Sequence, residues 1–313
     1  MTASRTLRIL HSPDELAGPL PHPVATVGNF DGVHLGHRRI LETLCARARE
    51  DHGTSLVITF DPHPQKVLQP DAAPRLIVTE AQKEMLLAGA GLQVMLKLPF
   101  TRELACSSAE QFVQHVLLGR LKVREIHIGR NFRFGRNREG DFETLQRLGA
   151  IHGFRTIPVP GVRYQDRRIS SSRIRRALAA GDVTLAAALL GREEELVGEV
   201  IHGDGRGRTV GFPTANLRVA NELIPLTGVY VTRFILEGRE IPSLTNIGSR
   251  PTFPGAAAAV ESHLLDFDGD LYGRQVALRF ARRLRDEIQF PGIEALKAQI
   301  IRDIAEARQV LAR

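Results

Sequence analysis

The chain carries two different hydrophobic patterns, which meet near residue 187. Before that point, short apolar runs alternate with segments in which apolar residues recur every three or four positions. The apolar runs predict strands at 23–27, 55–60, 93–98, 125–128 and 156–159, and the periodic segments predict helices at 37–50, 80–89, 108–118 and 142–152. This alternation predicts an α/β domain over residues 1–186, with a doubly wound, mostly parallel sheet that has helices on both faces.

The second half of the chain has the period of β-strands. Gly and Pro turns separate short alternating runs at 197–202, 229–236, 240–247, 259–266 and 275–280, and only the tail, 293–311, has a strong helical period. This pattern predicts a small antiparallel β-barrel with a terminal helix over residues 187–313. A length of 313 residues fits two domains.

The first predicted strand runs through a glycine-bearing loop into a helix, and this loop predicts an anion site. Its residues are Gly28-Asn29-Phe30-Asp31-Gly32-Val33-His34-Leu35-Gly36-His37. Glycines let the backbone approach a ligand, and the first N–H groups of a helix attract negative charge. His34 and His37 share one face and can each donate to a phosphate oxygen, so the loop predicts a triphosphate clamp that includes Gly28, Phe30 and Gly36. On the motif alone, a zinc site and an ordinary exposed turn stay open.

Two further segments carry features of a nucleotide site. A predicted strand ends in Ile128-Gly129-Arg130-Asn131-Phe132-Arg133-Phe134-Gly135, where aromatic and basic side chains alternate and can hold a ring together with a phosphate. Later, three serines precede a helix, with Arg168 before them and Arg175 after them. Ser171, Ser172 and the two arginines therefore form a second candidate anion site, although serines also cap helices that have no function.

The predicted barrel contains a glycine-rich basic loop followed by two oxygen ligands. Gly203, Gly205 and Gly207 permit a backbone arch over phosphate. Thr214 and Asn216, two apart on a strand, project to the same side. The loop has neither the lysine nor the spacing of a P-loop, and alone it indicates little.

In combination, these motifs resemble bacterial bifunctional FAD synthetases, in which a riboflavin kinase is joined to an FMN adenylyltransferase. The first half contributes four motifs in the family's order, G-x-F-D-G-V-H-L-G-H, T-F-x-P-H-P, G-x-N-F-x-F-G and I-S-S-S-x-I-R. The second half contributes G-x-G-R-G-R-x-x-G-F-P-T-A-N, N-I-G-S-R-P-T-F, E-S-H-L-L-D and D-L-Y-G, which are similar to riboflavin kinase motifs. The resemblance covers nearly all of the chain.

The resemblance implies two reactions and a set of residue roles. Riboflavin and ATP would give FMN in the second half, and FMN and ATP would give FAD and pyrophosphate in the first. It implies that Glu261 is the kinase base and that Thr214 and Asn216 bind Mg²⁺ and ATP phosphates. It also implies that ATP and the transferring phosphoryl group are handled by His34, His37, Asn131, Ser171, Ser172 and Arg175. Ser172 departs from the threonine that is usual in the family, but it keeps a hydroxyl.

The charge and composition of the chain bear on its partners and on its location in the cell. The formal net charge is +7, but the arginines are spread and lack interleaved aromatics, so anionic small substrates explain the charge and no nucleic-acid partner is expected. The start MTASRTLRIL has no signal-peptide core, and no run of about 18 apolar residues occurs, so we expect a cytoplasmic protein without a membrane partner. Cys45 and Cys106 do not make a disulfide framework.

Two rival functions and the oligomeric state stay open at this point. One rival is another H-x-G-H nucleotidyltransferase that acts on a different phosphate, with the second half as a regulator. The P-T-A-N motif and the run around Glu261 disfavour it. The other is a flavin-binding or nucleic-acid-binding protein without catalysis, which the positive charge favours. The sequence does not exclude a homo-oligomer.

Overall fold

The computed structural model describes residues 7–203, 207, 210–248 and 258–312. These residues form two compact units. The first unit comprises residues 1–75 and 80–169, and the second comprises 76–79 and 170–313.

The first unit contains six strands of one sheet, a short hairpin and six α-helices among its described residues. The sheet strands are β1 (Arg8–Leu10), β2 (Pro23–Val27), β3 (Thr54–Asp61), β4 (Val94–Pro99), β5 (Glu125–Gly129) and β6 (Arg155–Val159). The hairpin pairs β7 (Arg163–Tyr164) with β8 (Arg167–Arg168). The helices are α1 (Leu35–Glu50), α2 (Pro64–Leu68), α3 (Glu80–Gly89), α4 (Arg102–Cys106), α5 (Ala109–Phe112) and α6 (Phe142–His152).

The order of the strands fixes where a ligand can bind in this unit. The order is β1-β4-β3-β2-β5-β6, and all neighbours are parallel. After β2 the chain moves to β3 on one side, and after β5 it moves to β6 on the other, so the winding reverses between β2 and β5. Their register pairs Val24 with Glu125 and Ala25 with Ile126 near their amino ends. A reversal of this kind leaves a crevice at the carboxyl ends of the two strands.

Helices cover both faces of the sheet, as the hydrophobic periodicity predicts. On one face, Leu41 and Leu44 of α1 and Leu87 of α3 pack with Val57 and Met95 of the sheet. On the other face, α5, α6 and the π-helical turn Val113–Gly119 that continues α5 enclose a second core. The doubly wound parallel sheet is therefore confirmed.

The second unit is built around a closed barrel. Its strands are β9 (Glu194–Ile201), β10 (Ala215–Val219), β11 (Gly228–Leu236), β12 (Arg239–Gly248), β13 (Ala259–Leu264) and β14 (Gln275–Arg285). Their order around the barrel is β10-β13-β12-β11-β14-β9, and the pairings are antiparallel. The helices whose bounds the described residues give in this unit are α7 (Ser171–Ala179), α8 (Val183–Leu190) and the terminal α9 (Ile293–Leu311). The predicted barrel and terminal helix are confirmed.

A chain of hydroxyl groups crosses one side of the barrel interior. Thr232 Oγ1 lies 2.8 Å from Ser243 Oγ and 2.7 Å from Thr245 Oγ1, and Thr245 donates to Ser262 Oγ at 3.1 Å. All four residues are fully buried. These bonds satisfy polar groups that would be costly to bury unpaired, and they tie β11, β12 and β13 together.

The second unit includes pieces that the hydrophobic pattern assigns to the first half. Helix α8 packs against β9 and β14, and the N–H of Leu226 donates to the carbonyl of Leu178 in α7 at 3.0 Å. Residues 76–79 also belong to this unit, since Leu223 N donates to Leu76 O at 3.2 Å. The functional boundary at 186/187 therefore stays a prediction, distinct from the division by contacts at 169/170.

Candidate active sites

The loop after β2 places two histidines at the start of α1. His34 is the N-cap, and its Nδ1 accepts from the backbone N–H of His37 at 3.2 Å. A neutral imidazole whose Nδ1 accepts carries its proton on Nε2. The helix cap thus leaves Nε2 of the buried His34 as a hydrogen-bond donor.

The two imidazole rings are stacked. Their centroids are 3.6 Å apart with 12° between the planes, and the ring of Phe30 lies 4.9 Å from that of His37. A Cβ added at Gly36 would lie 3.0 Å from Cε1 of His34, so glycine at this position makes room for the stack. The predicted pairing of His34 and His37 on one helix turn is present, and Phe30 packs against it.

The environment of the stack favours the neutral form of His37. Burial, the adjacent His34 ring and the cation of Arg168 together lower the pKa of His37 well below its usual value of 6.5. Nδ1 of His37 is also buried and makes no hydrogen bond to another described residue. Near pH 7 the site therefore presents a neutral His37 imidazole beside the Arg168 guanidinium, and the helix N-terminus adds positive potential.

Two more predicted residues meet at the carboxyl end of β5. A Cβ added at Gly129 would lie 3.2 Å from Oδ1 of Asn131 and 3.6 Å from a terminal nitrogen of Arg168. Both side chains are exposed, and Arg168 also acts on the charge of His37. The structure thus brings together the loop after β2 and the segment after β5, at the reversal of the strand order.

The serine run begins α7 in the second unit. Ser170 is the N-cap, and its Oγ accepts from Arg173 N at 3.3 Å. Ser171 and Ser172 therefore lie in the first turn rather than at the cap, and Arg175 follows in the next. The capping role that serines have in any helix belongs to Ser170, which the sequence interpretation did not separate from its neighbours.

A row of polar residues crosses three strands of the barrel. The register pairs Glu261 of β13 with Asn216 of β10 on one side and with Asn246 of β12 on the other. Directly paired residues of antiparallel strands point to the same face, with Cβ atoms about 4.5–5.5 Å apart. Asn216 and Glu261, which are separated by 45 positions in the sequence, are thus direct neighbours.

Two glycines of the predicted phosphate loop contact the oxygen ligands. A Cβ at Gly203 would collide with the side-chain amide of Asn216, and one at Gly207 would lie 3.2 Å from Oγ1 of Thr214. Any larger residue at position 203 would displace the amide. The predicted Gly205 lies outside the described residues, as does the segment 249–253 of the N-I-G-S-R-P-T-F motif.

Comparison with known proteins finds one family in each half of the chain. The model of the FAD synthetase family matches residues 19–173, and the model of the riboflavin kinase family matches residues 190–311. A bifunctional riboflavin kinase/FMN adenylyltransferase of Pseudomonas fluorescens is 42% identical, over 92% of this chain and 93% of its own length. The chain belongs to the bifunctional riboflavin kinase/FMN adenylyltransferase family. The family member of Bacillus subtilis is 36% identical and covers 97% of both chains.

A solved structure resembles the whole chain. It is described as a macrolide-efflux protein from Streptococcus pneumoniae and has a TM-score of 0.89 and 30% identity, over 97% of this chain and 99% of that chain. This likeness shows that the same fold recurs over the full length, whereas the assignment to the riboflavin kinase/FMN adenylyltransferase family rests on the sequence relatives. Among the described residues, no helix is long and apolar enough to span a membrane.

One feature of this family member was missed by the sequence interpretation. Five phenylalanine rings form a connected series in the first unit, with centroid separations of 5.5–6.5 Å: Phe60, Phe100, Phe112, Phe132 and Phe134. Phe60 is the next-to-last residue of β3, and Phe100 and Phe132 follow β4 and β5, so the series runs along the carboxyl edge of the sheet. The sequence showed the aromatic pair at 132 and 134 but could not show which distant rings meet it.

Proposed function

We propose that the half of the chain with the barrel phosphorylates riboflavin to FMN and that the half with the parallel sheet adenylylates FMN to FAD. The observation that carries the proposal is the register that places Glu261 opposite Asn216, because it joins a proton acceptor to a ligand for phosphate or metal on one face of the barrel. The order of the two family matches along the chain supports the same division of labour. We assign the two activities to residues 1–186 and 187–313.

In the kinase reaction, Glu261 accepts the proton of the riboflavin 5′-hydroxyl as its oxygen attacks the γ-phosphorus of ATP. The bond to the β–γ bridging oxygen breaks, and ADP leaves. Gly203 and Gly207, together with the predicted Gly205, are assigned to the ATP phosphates, because glycine lets a backbone come close to a ligand. Thr214 and Asn216 orient the triphosphate from the neighbouring strand.

The residues around Thr214 and Asn216 fit a magnesium ion. A hydroxyl, an amide and the Glu261 carboxylate supply oxygen donors on adjacent strand positions, and Gly203 and Gly207 leave space beside two of them. Mg²⁺ is commonly bound by one or two protein oxygens together with substrate phosphates. When bound with ATP it would neutralise charge on the β- and γ-phosphate oxygens, and Thr214 and Asn216 would hold it there.

The adenylyl transfer needs no protein base, because the attacking FMN phosphate is already ionised. The protein's part is to position the two phosphates and to stabilise charge at the α-phosphorus as pyrophosphate leaves. Nε2–H of His34, together with His37 and Arg168, supplies donors at the helix start. Asn131 is assigned to the same nucleotide.

Further residues of the adenylyltransferase are assigned through the family resemblance. Ser171, Ser172 and Arg175 supply donors for phosphate oxygens from the start of α7, while Gly28, Phe30 and Gly36 shape the nucleotide loop. The half-buried rings of the phenylalanine series, Phe60, Phe100 and Phe132, are suited to the flavin ring of FMN, since aromatic rings stack favourably. We place both reactions in the cytoplasm.

The direct test is to incubate riboflavin with the protein, MgCl₂ and ATP and to follow the flavins by chromatography. FMN should form first and FAD should follow, while omission of Mg²⁺ should stop both steps. A protein that forms FAD from supplied FMN but no FMN from riboflavin would contradict the kinase assignment. Binding of flavin without any turnover would contradict both assignments.

A further inference from the structure

A second carboxylate lies beside the polar row of the barrel. Nδ2 of Asn246 donates to Oε1 of Glu287 at 3.3 Å, just beyond the end of β14. A Cβ added at Gly248 would lie 2.8 Å from the same Oε1 atom. Since real Cβ atoms do not approach this closely, a side chain at position 248 would push the carboxylate away from Asn246. The Asn246–Glu287 pair therefore depends on a glycine two residues further along β12.

The backbone that leads to Glu287 is anchored to the terminal helix. The Arg285 guanidinium donates to the buried carboxylate of Asp303 in α9 at 2.7–3.2 Å, and it also donates to the carbonyl of Asp286 at 3.0 Å. Gln299 donates to the same Asp303 carboxylate at 2.7 Å. Charge-assisted contacts of this kind restrict the residues around them. The contacts of Arg285 therefore restrict the position of Glu287 beside the polar row more than an unanchored surface loop would.

The order of residues in the row separates the two substrates of the kinase reaction. Asn216 lies on one side of Glu261, and Asn246 with Glu287 lies on the other. In phosphoryl transfer the attacking and leaving oxygens lie roughly in line on opposite sides of the phosphorus. If Asn216 and Thr214 bind the ATP phosphates, the alcohol must reach Glu261 from the side of Asn246.

The chemistry of this pair fits a chain of hydroxyl groups. Because the amide nitrogen of Asn246 donates to Glu287, the amide oxygen points away from that carboxylate and can accept a hydrogen bond. The Glu287 carboxylate is a second acceptor. Riboflavin presents hydroxyl donors on the ribityl carbons next to its reacting 5′-hydroxyl. We propose that Asn246 and Glu287 bind these ribityl hydroxyls and thereby position the alcohol for Glu261, an inference that rests on the proposed kinase function.

The test compares the steady-state kinetics of full-length Asn246→Ala and Glu287→Gln with those of the parent protein. A substrate hydrogen bond to a charged group contributes roughly 1.5–3 kcal/mol, so kcat/KM for riboflavin should fall roughly 10- to 100-fold. The KM for ATP should change less than about twofold, because the ATP ligands lie on the other side of the base. FAD formation from supplied FMN should not change in either variant.

Glu199→Gln is the matched control. Glu199 also accepts from a side chain on a neighbouring barrel strand, Arg218 at 2.6 Å, but it stands away from the polar row. This variant should keep parent values for both substrates. Glu287→Gln preserves the side-chain shape, so it carries the test if Asn246→Ala fails to fold.

The results separate this inference from the proposed function. Riboflavin kcat/KM within about threefold of the parent in Glu287→Gln, or an equal loss of kcat/KM for ATP and riboflavin, would overturn the ribityl site. A parent protein that forms no FMN would instead overturn the kinase assignment itself. Loss confined to riboflavin in both variants, with Glu199→Gln unaffected, would support the site.

Discussion

The division of the chain into two units by residue contacts predicts which fragments of the second unit will be stable, and the hydrophobic pattern of the sequence does not. A fragment 187–313 contains every residue assigned to the kinase reaction. It lacks α7, however, and it breaks α8 after its first turn. A fragment 170–313 retains both helices. Both fragments lack residues 76–79, so a comparison between them isolates the contribution of the two helices.

The magnitude follows from what the shorter fragment loses. Val183 and Ala186 of α8 are fully buried, and the helix that contains them packs on β9 and β14. Arg283 of β14 also packs against Gly181, where a Cβ would lie 2.7 Å from the arginine Cδ. Loss of one fully buried valine, one alanine and the packing around Leu189 and Leu190 should cost roughly 3–6 kcal/mol, and the loss of the buried Ile174 and Leu178 of α7 adds to this cost. Domains of this size are commonly stable by only about 5–15 kcal/mol.

Urea unfolding followed by circular dichroism measures this difference, and FMN formation measures the folded fraction. Fragment 187–313 should unfold at a clearly lower urea concentration than fragment 170–313. The FMN formation of the shorter fragment, as a fraction of that of the longer one, should be lower at 37 °C than at 15 °C. Neither fragment should form FAD, because both lack His34 and His37. Equal urea midpoints would show that α7 and α8 are not part of the barrel's folding unit and would refute the reasoning.

Three further predictions concern single side chains. Glu261→Gln keeps the shape and removes the proton acceptor, so FMN formation should fall roughly 10²–10⁴-fold while FAD formation from supplied FMN persists; an FMN rate within a few-fold of the parent contradicts the base. His34→Ala or His37→Ala should lower FAD formation roughly 10²–10³-fold and spare FMN formation, and bound zinc that is lost together with activity would indicate a metal site instead. In the folded protein the pKa of His37 is lowered below 6.5, so below pH 6.5 the unfolded chain takes up a proton on this ring before the folded protein does. The contribution of His37 to the free energy of unfolding is therefore fully present above pH 6.5 and decreases as the pH falls below that value. Between pH 7.5 and 5.5, the free energy of unfolding measured in urea should therefore fall less for His37→Asn than for the parent protein. An equal fall for the two proteins would exclude this role.

Local signals in the sequence were sufficient for most of the fold. The strands β2 and β5 and the helices α3 and α6 occur at or within one residue of their predicted bounds, because their hydrophobic periods are strong and glycine or proline marks their ends. The predicted helix 108–118 is instead a short α-helix that continues as a π-helical turn. Three-residue β1 and the two-residue strands of the β7–β8 hairpin were missed, since so few residues cannot establish a period.

The candidate sites were predictable only where their residues are close in sequence. The pairing of His34 with His37 follows from helical spacing. Glu287, by contrast, lies 26 positions beyond Glu261 and has no motif of its own, and it reaches Asn246 because β14 pairs with β11, which in turn pairs with β12. The register between β11 and β14 also shifts twice, so alternation along β14 could not show which residues reach the row.

The two folds solve the problem of binding phosphate in different ways, and this difference matches the two reactions. A parallel sheet aims helix N-termini at its carboxyl edge, so α1 presents backbone donors and the two histidines there, and its first turn contains no acidic residue. That is sufficient when the nucleophile is an ionised phosphate. An antiparallel barrel exposes side chains that alternate along its strands, so the polar row is made of amide and carboxylate groups. Carboxylates repel phosphate unless a cation lies between them, and an alcohol needs a proton acceptor before it attacks. The proposed kinase reaction therefore requires both Mg²⁺ and a carboxylate base in the barrel, and we assign the role of the base to Glu261, at the centre of the row.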